Sequence, residues 1–345
     1  MSNALIDQLG TFSEADWLAA VEELLPCIHE VDRNALQIWF RFYPLSLQQF
    51  VAAGEDREEM LHGIAMQGEF ELASQIDTSH HFLYGHRFWT KVKCIVEKYT
   101  DEFKGESAGL TDIIKEIGIH AAEKLNVDRS LVNAISAVGL ATLNQVGIEA
   151  FTAASGETEK PSKAMSKSPD TIVAERGKDD WQGLFGFLRT VDKRFSATYS
   201  GPHAGKFALI CDEEIASASQ KDNSRDWKAT DSRCWEGPVP IECTAASCGT
   251  CWVGVLGGQQ KLSDVGRRER RQMKVFGYNQ PEDERPFLRL ACQARAEGNV
   301  TIVIPPWNAV FGKKVYGNIE DVELEPVTTS AKALRETIAS AASGE

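Results

Sequence analysis

Three cysteines within nine residues constrain this chain more than any other feature. They stand at 243, 248 and 251 in VPIECTAASCGTC, a C-x4-C-x2-C spacing, and Cys292 follows after 40 further residues in LACQARAEGNVTIVI. Thiols held this close either bind metal or cross-link. The N-terminus, MSNALIDQLG, has no basic n-region, apolar h-region or twin arginine. The expectation is therefore a chain without an export signal, resident in the cytoplasm, free or peripheral to a membrane complex. In that compartment eight cysteines do not make a disulfide framework, and metal binding or catalysis is the first reading.

The spacing C-x4-C-x2-C…C is that of plant-type [2Fe–2S] sites. Two irons bridged by two sulfides need four thiolates. A tight loop can supply three, leaving one to come from a distant strand. Thr244, Ala245, Ala246, Ser247, Gly249 and Thr250 are small, so backbone N–H groups can turn toward the sulfurs. Residues 239–251 resemble the cluster-binding loop of plant-type ferredoxins. Residues 256–264, LGGQQKLSD, resemble the turn and strand after it, and residues 291–303 the strand with the fourth ligand. The resemblance covers about 110 residues and is strong over about 35. It implies a [2Fe–2S] cofactor bound by Cys243, Cys248, Cys251 and Cys292, with no assignment of cysteines to either iron. It also implies a β-grasp fold with the cluster near the surface, and a potential near about −400 mV.

The sequence departs from that family in three ways. Thr244 stands where an Arg is usual, and Ala246 where a Gly is usual. The span from Cys251 to Cys292 is about ten residues longer than usual and holds RRERRQMK at 267–274, a basic, helical insertion. Trp252 directly follows the third cysteine, where it can shield the cluster from water. The competing reading is a four-thiolate zinc site. Zinc sites usually pair one C-x2-C with another or with a His pair, whereas here a single pair exists. Visible colour separates the two. Cys234 reads as a spectator or an alternative ligand, and Cys27, Cys94 and Cys211 as core residues.

The rest of the chain divides by composition. Residues 1–150 carry 11 Lys+Arg against 23 Asp+Glu, whereas residues 183–345 carry 21 of each. The first part has prolines only at 26 and 44. It shows apolar residues at helical spacing after a Ser13–Asp16 capping box and over 33–43, 46–53, 56–67, 87–103, 110–125 and 129–150. An all-α bundle of five to seven helices is expected there. Residues 151–180 have linker composition and, if flexible, an r.m.s. span on the order of 30 Å. Residues 181–325 carry strand-like runs at Lys206–Cys211, Trp252–Leu256, Phe287–Ala291 and Val300–Ile304. Residues 326–345 read as a flexible tail or short docking helix. The expected class is thus α+β: a helical docking or interaction domain, a linker, a β-grasp ferredoxin-like domain and a tail.

Net charge −13 argues against nucleic acid as the main partner, and no apolar run approaches the roughly 20 residues of a membrane span. Six of the seven histidines lie in the helical half: His29, His62, His80, His81, His86 and His120. Glu59–His62 matches E-x-x-H, but Glu116 and His120 are four apart, so a di-iron bundle is not expected. Two bundle histidines could hold haem; the plainer reading is that His80, His81 and His86 cap helices and line an interface. Asp283 and Glu284 belong to acidic residues too scattered to nominate an acid–base pair. No nucleotide, flavin or nicotinamide motif is present. The function expected is one-electron transfer, as a carrier or subunit of an oxidoreductase complex rather than an enzyme in itself. The helical part anchors it to a redox protein, a larger oxidoreductase complex or another copy of itself. The alternatives are a structural or assembly subunit, and a helical-domain haem or non-haem iron enzyme fed by the ferredoxin part.

Overall fold

In the computed structural model, residues 3–105, 108–158, 161, 165–178, 193–200, 204–278, 284–317 and 340 are described. Asp283 and, apart from Ser340, the tail at 326–345 lie outside them. The chain forms two compact units, one of residues 1–49 and 70–175, the other of residues 50–69 and 176–345.

The first unit is helical. It contains α1 (Ala4–Leu9), α2 (Glu14–Leu24), α3 (Glu30–Phe42) and the start of α4 (Leu45–Ala53). Ser13 and Asp16 cap α2 reciprocally, and Pro26 sits in a 3-10 turn where α2 stops. With α5 (Arg57–Gly63) and β1 (Gln67–Gly68) belonging to the other unit, the bundle resumes with α6 (Trp89–Glu102), α7 (Leu110–Leu125), α8 (Asn133–Ala153) and α9 (Pro169–Gly177).

Trp17, Trp39, Trp89, Phe42 and Phe151 are fully buried in this unit. Such large side chains fill the space between helices, and their polar ends need partners. Trp39 Nε1 donates to Ser79 Oγ at 3.2 Å and Trp89 Nε1 to Asp77 Oδ1 at 2.7 Å. α7 approaches α8 at Gly118, where an added Cβ would stand 2.2 Å from Asn133 Oδ1. α8 is long and apolar enough to cross a membrane by length and composition. Residues 133–143 of α8 are nevertheless buried in sequence, which is how a helix at the centre of a bundle reads. Asp32 is fully buried, and its carboxylate accepts the N–H groups of Tyr84 at 2.6 Å and Gly85 at 2.9 Å.

The second unit is built on a mixed five-stranded sheet. Its strands are β2 (Arg194–Ser200), β3 (Gly205–Ile210), β5 (Trp252–Gly257), β6 (Leu288–Leu290) and β8 (Val300–Val303), in the order β3-β2-β8-β5-β6. β2 and β8 run parallel, Ala197 opposite Val300; the other pairs are antiparallel. Alternation explains β2, whose Phe195, Ala197 and Tyr199 point inward, whereas β5 is buried along nearly its whole length. Two short pairs flank the sheet: β4 (Glu213–Glu214) with β7 (Arg295–Ala296), and β1 with β9 (Trp307–Asn308). The short helices α10 (Ile215–Ser219) and α11 (Trp227–Thr230) follow β4, with α10 packed on β3; α12 (Arg267–Phe276) and α13 (Gly312–Tyr316) complete the unit. The architecture is α+β, a helical N-terminal region and a β-grasp sheet.

The units differ from the sequence boundaries in two places. Residues 50–69, read as part of the helical half, pair with the C-terminal chain: Gln67 lies opposite Asn308, Glu69 N–H donates to Pro306 O, and Val310 N–H to Ile64 O. A two-residue strand leaves no periodic signal. Within the stretch read as linker, residues 151–153 close α8, and 169–177 form α9, whose Ile172 packs with Val31 and Tyr84. Met165 and Val173 pack beside it, and Asp170 bonds His29 Nε2 at 3.1 Å, so several contacts hold this polar segment. The core reading of three cysteines is corrected outright: Cys27 is half-buried and Cys94 and Cys211 are exposed, because each falls on the outer side of its element or in a turn.

Replacing Asp32 with Ala leaves two buried N–H groups without an acceptor. The helical unit should lose roughly 2–4 kcal/mol, read as a lower urea midpoint by far-UV circular dichroism.

Candidate metal centre

The four nominated cysteines come from two places in the second unit. Cys243, Cys248 and Cys251 lie on the loop that runs into β5; Cys292 lies just beyond β6. Register brings the distant one in. Trp252 pairs with Leu290 across β5 and β6, and Ala291 N–H donates to Cys251 O at 2.9 Å. The next residue on the β6 side is therefore Cys292, beside Cys251. Cys243, Cys251 and Cys292 are buried and Cys248 half-buried.

The sulfurs interact as two pairs, Cys243 with Cys248 and Cys251 with Cys292. In each pair one thiol is held toward the thiolate and the other toward the protonated form. The Cys243 thiol is held well below its ordinary range, first by the hydrogen bond from Cys248, then by the amides of Ala245, Ser247 and Cys248. Ser247 N–H reaches Cys243 Sγ at 3.3 Å. Cys292 is lowered by the bond from Cys251, by the Gln293 side chain and by the Ala246 amide, while Cys248 and Cys251 are raised. Thiolate charge in a buried loop is stabilised by such N–H donors.

The loop achieves this by turning left-handed twice, at Ala246 (φ 55°) and Gly249 (φ 74°). Ala246 occupies the position where the ferredoxin pattern has Gly, so this chain places an L-residue in a conformation that favours glycine. Among the described residues no three His, Cys, Asp or Glu side chains converge on one point as a single ion would require.

Behind the loop stands an aromatic wall. Trp252 is fully buried, stacks on Tyr278 with ring centroids 4.0 Å apart, and donates from Nε1 to Trp307 O at 2.9 Å. The Tyr278 hydroxyl lies between the carbonyls of Gly249 and Ala309, at 3.2 and 3.1 Å. Sequence reading singled out Trp252 but missed Tyr278 and Trp307, which carry no spacing signal. It also missed the role of Glu269. That carboxylate, 1% exposed, makes a two-point ion pair with buried Arg289, at 2.9 and 3.0 Å, and accepts Leu290 N–H at 2.8 Å. It pins α12 to the strand that leads to Cys292. The signal was present: residues 269, 272, 273 and 276 share one helix face, and that face is buried.

Cys234 is buried, bonded to Pro238 O at 3.4 Å and pushed up to about 12 by burial, the state of a spectator thiol. Glu284 is exposed. Of the histidines, His29 caps α3 by accepting Val31 N–H, and His62, on α5 with Glu59, and His120 are exposed. His80 is fully buried. Its Nε2–H donates to Ile76 O at 3.2 Å, so its Nδ1 carries a lone pair and accepts from His86 Nδ1–H at 2.8 Å. Both nitrogens of His80 are thus engaged, and its ring packs on Trp89 at 4.2 Å. His81 Nδ1 bonds the Thr78 carbonyl.

Residues 231–297 match the family model of the 2Fe-2S iron-sulfur cluster binding domain. The C-terminal half therefore contains a plant-type [2Fe–2S] ferredoxin domain, its cofactor is a [2Fe–2S] cluster, and it is fused to a helical N-terminal region that no family model matches. No curated protein and no solved structure matches the chain.

Two outcomes follow. Glu269→Ala leaves Arg289 charged and buried without its partner, at a cost of about 3–5 kcal/mol; the visible band should bleach at lower urea than in the parent protein. Burial holds His80 well below its ordinary range and His86 down to about 4. A histidine depressed in the folded state takes up its proton on unfolding, so stability is complete above about pH 7 and falls as pH drops from about 6.5 toward 4. The unfolding midpoint of the helical unit should fall over that window, and His86→Gln should flatten the slope.

Proposed function

We propose that this chain is a [2Fe–2S] electron carrier that exchanges electrons with a redox partner, a reading that its 2Fe–2S domain supports. We propose that Cys243 and Cys248 hold one iron, and Cys251 and Cys292 the other. The pairing of thiols across the loop and the β5–β6 register supports this assignment. When bound, the cluster supplies one-electron chemistry by cycling between Fe(III) and Fe(II). The protein's part is to hold four thiolates, those of Cys243, Cys251 and Cys292 buried and that of Cys248 half-buried. Amides of Ala245, Ala246, Ser247 and Cys248 face the charge, and Trp252, Tyr278 and Trp307 close the side behind it. The loop is held by β5, into which it runs, and by contacts of Ser247 with Arg268 and of Gly249 with Tyr278.

We further propose that the helical region, with the acidic balance of residues 1–150, anchors the carrier to a larger redox enzyme. Residues within 151–180 and 326–345 then act as connecting and terminal segments. A tether converts docking into an intramolecular event at effective concentrations up to the millimolar range. A rival haem role for the bundle is disfavoured by the engagement of His80 with Ile76 and His86.

Cys248→Ser should abolish or bleach the broad visible absorption and the rhombic EPR signal of the reduced protein, while Cys27→Ser should leave both intact. Equal iron and sulfide in parent and Cys248→Ser protein would refute the ligand assignment.

A further inference from the structure

The residue after the fourth cysteine lies against that cysteine's sulfur. Gln293 follows Cys292 in a tight turn beyond β6, where Gln293 N–H donates to Leu290 O at 2.8 Å and Ala294 N–H to the same carbonyl at 3.0 Å. The turn fixes the Gln293 backbone, and the side chain folds back over Cys292. Gln293 Nε2 stands 2.9 Å from Cys292 O, 3.4 Å from Thr244 O and 3.6 Å from Cys292 Sγ. All three neighbours are acceptors: two are carbonyls, and a cysteine that ligates iron carries no proton. The nitrogen of the amide, not its oxygen, therefore faces them, and the usual ambiguity of an amide's orientation does not arise. That nitrogen has two hydrogens. The short contact to Cys292 O takes one. The other is left between Cys292 Sγ and Thr244 O. These two acceptors differ in what they lose without it. Cys292 is buried, so its sulfur depends on the protein for donors, whereas Thr244 is exposed, within reach of water.

We propose that Gln293 is a positioning residue that sets the reduction potential: its side-chain amide shifts its second hydrogen from Thr244 O to Cys292 Sγ on reduction, and so stabilises the reduced form. The inference rests on the electron-carrier reading and on Cys292 as a ligand. An electron added at the cluster increases the negative charge on the thiolate sulfurs, and hydrogen bonds to those sulfurs help to fix such potentials. A donor gains more from a charged acceptor than from a neutral carbonyl. No bond to iron forms or breaks, the proton stays on nitrogen, and the incoming electron is the one the carrier transfers. Backbone amides such as Ser247 N–H, 3.3 Å from Cys243 Sγ, act in the same direction, but the path of the loop fixes them. The Gln293 donor swings on a half-buried side chain at the edge of solvent. Substitution can remove it without altering the loop.

The test is a redox titration of the full chain with its cluster, using dithionite and low-potential viologen dyes. Gln293→Met keeps the length and flexibility of the side chain and cannot donate. At one ambient potential its ratio of reduced to oxidised protein should be roughly tenfold below the parent's, the scale of a hydrogen bond to a charged group. For a one-electron couple that is a midpoint lower by about 59 mV. Gln293→Glu should fall further, because a carboxylate offers only acceptors. A second measurement needs no variant. In parent protein carrying heavy nitrogen only in its glutamine side chains, pulsed EPR of the reduced cluster should show a coupling to that nitrogen, and Gln293→Met should lack it. Coincident midpoints in coloured parent and Gln293→Met protein overturn this proposal alone and leave the carrier reading in place. So does a reduced parent with no such coupling. A colourless parent, or equal iron and sulfide in parent and Cys292→Ala protein, refutes the ligand assignment and this proposal with it.

Discussion

The antiparallel register of β5 with β6 is the constraint on which the site depends. Trp252 opposite Leu290 sets Cys251 beside Cys292 across 40 intervening residues. Because side chains alternate along a strand, a slip of one residue would turn Cys292 away from the loop. The register is enforced from both sides. Glu269 bonds Leu290 N–H and the Arg289 guanidinium, and Trp252 is clamped between Tyr278 and Trp307. A buried ion pair is a costly device for stability alone. Here it ties a helix to the strand that leads to a thiol, which an apolar pair could not do with the same directionality.

The insertion that carries Glu269 links stability to surface charge. α12 gives its buried face to the cluster scaffold and its exposed face to solvent in cations. One helix therefore supports the loop from behind and presents exposed basic side chains to solvent.

The helical unit follows different physics. Its core is aromatic, and its buried Asp32 carboxylate is satisfied over a long range by the Tyr84 and Gly85 amides. Its histidines, candidates for a metal or haem, are absorbed into structure: His29 as a cap, His80 and His86 as a mutually bonded pair. Burial of the His80 and His86 imidazoles brings acid sensitivity to the unit.

Local sequence determined much of this protein. The spacing of Cys243, Cys248 and Cys251 marked the cluster loop, the small residues between them marked its tight turns, and helical periodicity placed α7 at 110–125 and α12 from 267. These are short-range properties, written in neighbours along the chain. Tertiary structure alone decided the rest. Pairing of β1 with β9 draws residues 50–69 into the second unit, and buried Ile172 with Met165 and Val173 packs part of a polar stretch against Val31 and Tyr84. The meeting of Cys251 with Cys292 arises from register, and the wall of Trp252, Tyr278 and Trp307 assembles residues up to 55 apart. Contacts between distant residues leave no pattern in either partner's neighbourhood. They exist only once burial of the sheet's apolar face has fixed which strands lie side by side.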